Sequence, residues 1–458
     1  MRLLLGFLVL LLSTDTAILG QAIDPPNTNS GGYSVHRSTL AFEESPEAPK
    51  RLPKQRAGYL YPVLSWGPNN QVAGLKEVLA LGRILRRTVI LHDILNHYDE
   101  QQAALVGGQP VQGQALTMPF DLVFNFDHIS RHQSVVSQAE LFDAGWDGAL
   151  DAVLHFDDEF LVQIKNALVL NVSDTGATYI KFPYFNCTDG ELEALGKAIQ
   201  QYKYVGVIAY EHVVQGAGHG VKLYMTGNSC HDEFLQVTAQ LTKSDKVVQL
   251  AAAFRGQMLV NKSYIAVHIR PYPDKCLYVW RHPDAVNDES KLKEMCKNPR
   301  LINVFVGQTL NSMKKRKLHG LFVMSYPSIR DRITEMYKAA GVKPIFFDED
   351  DLEAAVGYRN TTAAFSFYSY TCTRVLLIFS GICTALTGAF YASYFPKPRS
   401  VSLLGMVEEE IALGADIFIG TSYSSITGII SQERYARGIW PGHTLTFSKT
   451  SLPRRSTQ

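Results

Sequence analysis

Net charge, internal repetition and cysteine are all scarce in this sequence. Lys and Arg number 44 against 43 Asp and Glu, a formal net charge of +1. A nucleic-acid-binding protein presents a basic face to the phosphate backbone, and so even a balance excludes a broad one. No fixed-period repeat runs through the chain, so its segments are read as distinct elements rather than copies of one unit. Cysteine occurs only six times. The even number permits disulfides in an oxidising lumen. Cys276 with Cys296 and Cys187 with Cys230 are the pairs expected, although spacing does not dictate them. A lumenal-retention tail is also missing, since the chain ends Arg-Arg-Ser-Thr-Gln. On that ground both endoplasmic reticulum and Golgi stay open, with the former expected.

What is present is the composition of an ordinary globular protein: 46% apolar residues, 34 Gly and 20 Pro. A length of 458 residues suits two or three domains. Arg2, the apolar run Leu3 to Leu12 and the small and polar residues after it read as a secretory signal peptide over residues 1–22, with cleavage near Gly20 or Ala22. The run is too short to span a bilayer. Sequons at Asn171, Asn186, Asn261 and Asn360 suit glycosylation on the same route. Residues 23–57 are rich in Pro, Ser, Asn and charge without a sustained period, and read as a flexible leader.

Order is expected from Gly58. Tyr59 to Trp66 reads as a strand, Gly67 to Gln71 as a turn, Val72 to Arg87 as an amphipathic helix and Thr88 to Leu95 as a second strand, a βαβ unit. Further strands are expected over Tyr264–Arg270, Gly320–Tyr326, Val342–Phe347 and Ala415–Ser422. Helices are expected over Ile329–Ala340, in an acidic stretch before Gly414, and from Ser424 to Gly438. Strands alternating with helices imply parallel sheets, here in two Rossmann-like domains, 58–245 and 246–450.

Ligands of open parallel sheets gather at the carboxyl ends of the strands, and three segments sit there. Tyr264 to Arg270 delivers His268 and Arg270, two residues apart, onto one face. Arg offers a planar fork of donors to phosphate oxygens, and a His beside it can orient a phosphate or a sugar hydroxyl. The same pair also suits a strand-capping arginine and a satisfied core histidine. Gly67, Pro68, Asn69 and Asn70 open the first helix, and Ser424 and Ser425 the last. Backbone donors at these points suit an anion, or equally an N-capping turn.

These segments resemble a known family. Gly67-x-x-Asn70-Gln71 after the first strand, His268-x-Arg270 followed by Asp274, and Ala415-Asp416-x-Phe418-Ile419-Gly420-x-x-x-Ser424-Ser425 followed by Glu433-Arg434 are similar to the GDP-fucose protein O-fucosyltransferases, above all those that modify EGF-like repeats. The resemblance runs in order over most of Gly58 to Gly438. It implies an α/β fold of the GT-B glycosyltransferase class, two Rossmann-like domains with GDP-fucose in the cleft between them. It further implies inverting transfer of fucose to a Ser or Thr hydroxyl of a secretory-pathway protein, without a metal or other cofactor. Arg270 would contact the diphosphate and stabilise the departing GDP. His268, Ile269 and Gly67 to Asn70 would line the site. Asp274 reads as a partner that orients Arg270 or, equally, as a surface carboxylate. Glu408 falls where the family places a nucleotide-binding carboxylate, and Ser425 and Ile426 fall where it has Ser-Phe.

The chain departs from that pattern in two places. Ile426 removes an aromatic surface, and Phe322 to Tyr326 lacks the Asp that commonly follows this strand in relatives. Another GDP-sugar donor, or a binding protein of the same fold without catalysis, therefore stand as alternatives. Asp348-Glu349-Asp350-Asp351 suits a divalent cation, but acids after a strand more often cap the following helix, and that is the reading expected here. Residues 375–395 are uncharged. A single membrane span there would put Arg270 and Ser425 on opposite sides, so the run reads as an apolar insertion near 365–400, with Cys372 and Cys383 available for a bridge.

Overall fold

The computed structural model describes residues 58–97, 117–156, 164–182, 187–209, 230–259, 263–271, 274–281, 296, 299–356, 401–421 and 424–447. The signal peptide, the leader, Cys372 and Cys383, the run 375–395 and the sequons at Asn186, Asn261 and Asn360 lie outside them. Asn171 is exposed, in a left-handed turn with φ 61°.

The first βαβ unit consists of β1 (Tyr59–Pro62), α1 (Pro68–Leu85) and β2 (Thr88–Leu91). The helix begins at Pro68, earlier than the expected Val72, because proline's fixed φ suits a first turn and its missing N–H leaves no donor unpaired. Strand β2 ends at Leu91 rather than Leu95. The reason is His92, whose Nε2 lies 2.7 Å from the Pro62 carbonyl and whose Nδ1 lies 2.8 Å from that of Asp93. Past it, β3 (Ile94–Leu95) pairs antiparallel with β4 (Thr117–Met118). With β5 (Val135–Ser137), β6 (Ala152–His155), β7 (Thr178–Lys181) and β8 (Tyr204–Ile208), the large sheet runs β5-β2-β1-β8-β6-β7, every pair parallel.

Helices α2 (His231–Gln240) and α3 (Asp245–Met258) lead to the second sheet. It contains β9 (Tyr264–His268), β10 (Gly320–Met324), β11 (Ile417–Thr421) and β12 (Thr444–Phe447) in the order β10-β9-β11-β12, again all parallel. Around these strands lie α4 (Asp274–Arg281), α5 (Pro299–Arg316), α6 (Arg330–Lys338), α7 (Glu349–Val356), α8 (Val401–Leu413) and α9 (Ser425–Ala436). Every residue of β9, β10 and β11 is buried, as expected of parallel strands covered on both faces. The strand expected at Val342–Phe347 shrinks to a single bridge between Phe322 and Ile345. Pro344 has no N–H to give a ladder, so pairing is limited to the bonds of Ile345 with Leu321 and Val323. Both expected disulfides are formed, Cys187–Cys230 and Cys276–Cys296, with Cα–Cα separations of 5.9 and 5.2 Å.

All described residues fall within one compact unit, Glu47–Gln458. One apolar cluster joins the two sheets, taking in Leu75 and Val78 of α1, Phe254 of α3, Val407 and Ile411 of α8 and Ile430 of α9. Charges are buried within it. Lys76 of α1 meets Glu433 of α9 at 3.0 Å, and Lys243 meets Glu409 of α8 at 2.7 Å, all four side chains at most 4% exposed. Arg434 donates to the carbonyls of Ala412, Leu413 and Ala415 at 2.7–3.2 Å, capping the C-terminal end of α8. The Glu433-Arg434 pair is therefore architectural: one residue joins the sheets and the other ends a helix.

Candidate active site

In an open parallel sheet the ligand crevice lies where the chain, having built strands to one side, crosses to the other. In the large sheet that point is β1, with β2 on one side and β8 on the other; in the second sheet it is β9, between β10 and β11. The segments singled out from the sequence follow these two strands. Gly67 to Asn70 come after β1, and Ile269 and Arg270 after β9. The loop after β1 also meets the end of β10, the neighbour of β9. The His97 ring packs on Gly67, where a β-carbon would lie 3.2 Å from its Cδ2, and His97 Nε2 is 3.0 Å from the hydroxyl of Tyr326, beyond the end of β10. Ser402 of α8 accepts the His97 N–H at 2.8 Å. Two parallel α/β sheets joined at their carboxyl ends are the arrangement expected of a GT-B fold.

The β1 loop is held rigidly. Trp66 has φ 67°, a strained value for a residue with a side chain, and its carbonyl accepts from Gln71 Nε2 at 2.9 Å. Gln71 is fully buried and also exchanges two hydrogen bonds of 2.8 Å with Leu95. In the Asn-Gln of the sequence pattern Gln71 thus fixes the loop, while Asn70 lies half-buried in the first turn of α1.

Gly67 and Ser424 are the N-caps of α1 and α9. Gly67 forms a capping turn, its carbonyl accepting from the Asn70 and Gln71 N–H groups at 2.9 and 3.2 Å, whereas Ser424 makes no side-chain capping bond. Several buried polar atoms lie just past the strand ends. Among the described residues Ser65 Oγ and Asn69 Oδ1 after β1, Ser325 Oγ after β10 and Ser424 Oγ after β11 have no hydrogen-bond partner. A buried unpaired donor or acceptor costs on the order of 1–3 kcal/mol, so four in the segments past these strands suit a polar ligand.

His268 is buried, with Nδ1 3.0 Å from Thr427 Oγ1. Burial, and then the neighbouring Arg270 charge, depress its pKa to about 3, so the ring is neutral at physiological pH. Arg270, two residues on, is half-buried. Ile269 is a correction to the expected lining: its side chain is 1% exposed and belongs to the core, so only its backbone can reach a ligand. Ser425 and Ile426 sit in the first turn of α9, both half-buried, with Ile426 resting on the core. Asp274 opens α4, and its side chain lies outside the described part.

Glu408 is buried on α8 with Oε1 3.0 Å from Arg330 Nη2. Burial outweighs that arginine and raises its pKa to about 8. Arg330 Nε, also buried, has no partner among the described residues. The pair spans 78 residues of sequence, and no local pattern announced Arg330, Ser325 or His97. The acidic run after β10 takes its capping role: Asp348 and Asp351 accept from each other's backbone amides at 3.0 Å where α7 begins.

No family model and no curated protein sequence matches this chain. Among solved structures it is similar to POFUT1 in complex with GDP, at 13% identity over 86% of this chain and 98% of that one, with a TM-score of 0.48. It is similar to POFUT1 in complex with GDP-fucose at 14% identity over 86% and 99%, with a TM-score of 0.49. NodZ alpha-1,6-fucosyltransferase soaked with GDP-fucose follows at 9% identity over 82% and 92%, with a TM-score of 0.39. These are likenesses of fold, and the site rests on the geometry above.

Proposed function

We propose that the chain is an inverting glycosyltransferase that moves fucose from GDP-fucose to a Ser or Thr hydroxyl of a secretory-pathway protein, an EGF-like repeat being the acceptor class. The observation that carries this reading is that the loop after β1 meets, through His97, Tyr326 at the end of β10, beside the β9 switch point that Arg270 follows, with buried polar atoms lacking a hydrogen-bond partner in the segments after β1, β10 and β11. The motif resemblance supports the donor and acceptor. In the reaction the acceptor oxygen attacks the anomeric carbon as its bond to GDP breaks. Arg270 stabilises the charge growing on the departing diphosphate, where a fixed cation contributes most. The Asn69 amide of α1 and the first-turn amides of α9 hold phosphate or sugar oxygens. The acceptor proton leaves through water or the departing phosphate. Ile426, in place of an aromatic residue, favours the second reading, a transferase for another GDP-sugar.

Glu408 is assigned to guanine, since a carboxylate accepts from both N1–H and N2–H. Calorimetry should show GDP and GDP-fucose binding in preference to UDP-sugars, and Glu408→Ala should lose that preference more than it loses diphosphate affinity. The pH dependence has a definite sign. Below about 8 the free carboxyl holds its proton, whereas guanine selects the carboxylate, so binding at pH 7 releases a proton. Affinity should rise from pH 6 toward 8 and then level, and heats in buffers of different ionisation enthalpy should report about one proton released. An affinity flat over that range sinks the guanine assignment.

Transfer is expected to proceed without a divalent metal, because Arg270 supplies the positive charge and Asp348 and Asp351 are engaged in the α7 cap. Activity should survive EDTA and the Asp350→Ala substitution. Loss in EDTA with recovery on adding manganese would overturn this.

A further inference from the structure

We propose that Thr421 is a positioning residue for Arg270, an assignment that rests on the function proposed above. The parallel register of β9 with β11 runs from Ile265 opposite Ile417 to His268 opposite Gly420. One step further, a side chain replaces the backbone ladder. Thr421 Oγ1 donates to the His268 carbonyl at 2.9 Å and accepts the Arg270 N–H at 2.9 Å. On the other flank the Ile269 N–H donates to the Met324 carbonyl at 2.9 Å. The backbone that carries Arg270 into the cleft is thus held from β10 by a peptide and from β11 by one buried hydroxyl.

The chemistry of that hydroxyl is demanding. It must donate and accept at once, so valine, of the same shape, can do neither, whereas serine can do both. Thr421 is 6% exposed, which leaves water little room to take its place. The preceding residue sets the other half of the His-x-Arg pair. A β-carbon at Gly420 would collide with Thr427, and it is Thr427, fully buried, that holds His268 Nδ1. Two adjacent residues of β11 therefore bear on the His268 side chain of β9 and on the Arg270 backbone just past it. A cation matched to developing charge needs its backbone fixed to about half an ångström, and this is the device that fixes it.

The test compares Thr421→Val and Thr421→Ser in the wild-type and Arg270→Ala backgrounds, with GDP affinity read by calorimetry and the Arg270 amide read by hydrogen exchange. Thr421→Val should weaken GDP about tenfold, Thr421→Ser should stay within about threefold of wild type, and Thr421→Val should add nothing once Arg270 is gone. Thr421→Ala serves the same comparison if the valine variant does not fold. Equal weakening in both backgrounds would mark Thr421 as generally structural and overturn the proposal, as would wild-type affinity in Thr421→Val. A wild-type protein that does not bind GDP would instead sink the proposed function, and amide exchange would then decide. Exchange at Arg270 about tenfold faster in Thr421→Val than in Thr421→Ser upholds the positioning role; unchanged exchange removes it.

Discussion

Arg270→Lys, and not only Arg270→Ala, should lower turnover with GDP-fucose and a folded EGF-like repeat by on the order of 10²-fold or more, while the protein stays folded. Lysine keeps the charge but loses the planar two-pronged contact, so it binds the ground-state diphosphate moderately and aligns poorly with the leaving group. The backbone here is held by Thr421, which accepts the Arg270 N–H, and by the Met324 carbonyl, which accepts the Ile269 N–H, so the lysine starts from the same point on the strand. Its shortfall then reads head-group geometry and not a shifted chain. Steady-state rates beside a melting curve for each variant test this. Wild-type rates for Arg270→Lys would make the strand end structural, and a binding protein of this fold would then be the better reading.

Lys76→Met and Glu433→Gln, each alone, should destabilise the fold by about 3–5 kcal/mol, because either leaves one charge buried without its partner. Burial lowers the Lys76 pKa against the pull of Glu433, while Lys76 and Lys243 hold Glu433 below its usual range despite burial. The double variant Lys76→Met, Glu433→Leu should recover most of the loss, since two apolar side chains of similar volume need no compensation and the Lys243–Glu409 pair is untouched. Against a total stability of roughly 5–15 kcal/mol, the single variants would sit near the edge of folding. Urea midpoints for the three proteins measure this. Single variants that unfold at the wild-type midpoint would mean that water reaches the pair.

Much of this was legible beforehand, for identifiable reasons. Strands β9, β10 and β11 are continuous apolar runs bounded by turns and helices, and such runs declare parallel strands. His268 and Arg270 were visible because two-residue spacing on a strand fixes a common face, although the same rule put Ile269 on the core side. Where a local rule gave way, a long-range contact had displaced it, as where the buried His92 ring bonded back to Pro62 and ended β2. Arg330 with Glu408, Thr421 with Arg270 and His97 with Tyr326 join residues 78, 151 and 229 apart. No periodicity carries such pairings. The Gln71 and Glu433-Arg434 parts of the pattern were legible as residues but not as roles, since only packing shows that they hold the frame and not the ligand.

Helix α8 places Glu408, Glu409 and Glu410 in succession, and turning about 100° per residue sends them to three cations: Arg330, Lys243 and Arg437. The order in which those cations are made bears on synthesis. When α8 leaves the ribosome, Lys243 and Arg330 already exist, but Arg437 is still to come, as is Lys76's partner Glu433. A nearly all-buried helix with one uncompensated carboxylate cannot settle, so final docking must wait for α9. A nascent chain stalled or cut before residue 437 is therefore expected to remain open and in the hands of chaperones, however well its first sheet has formed.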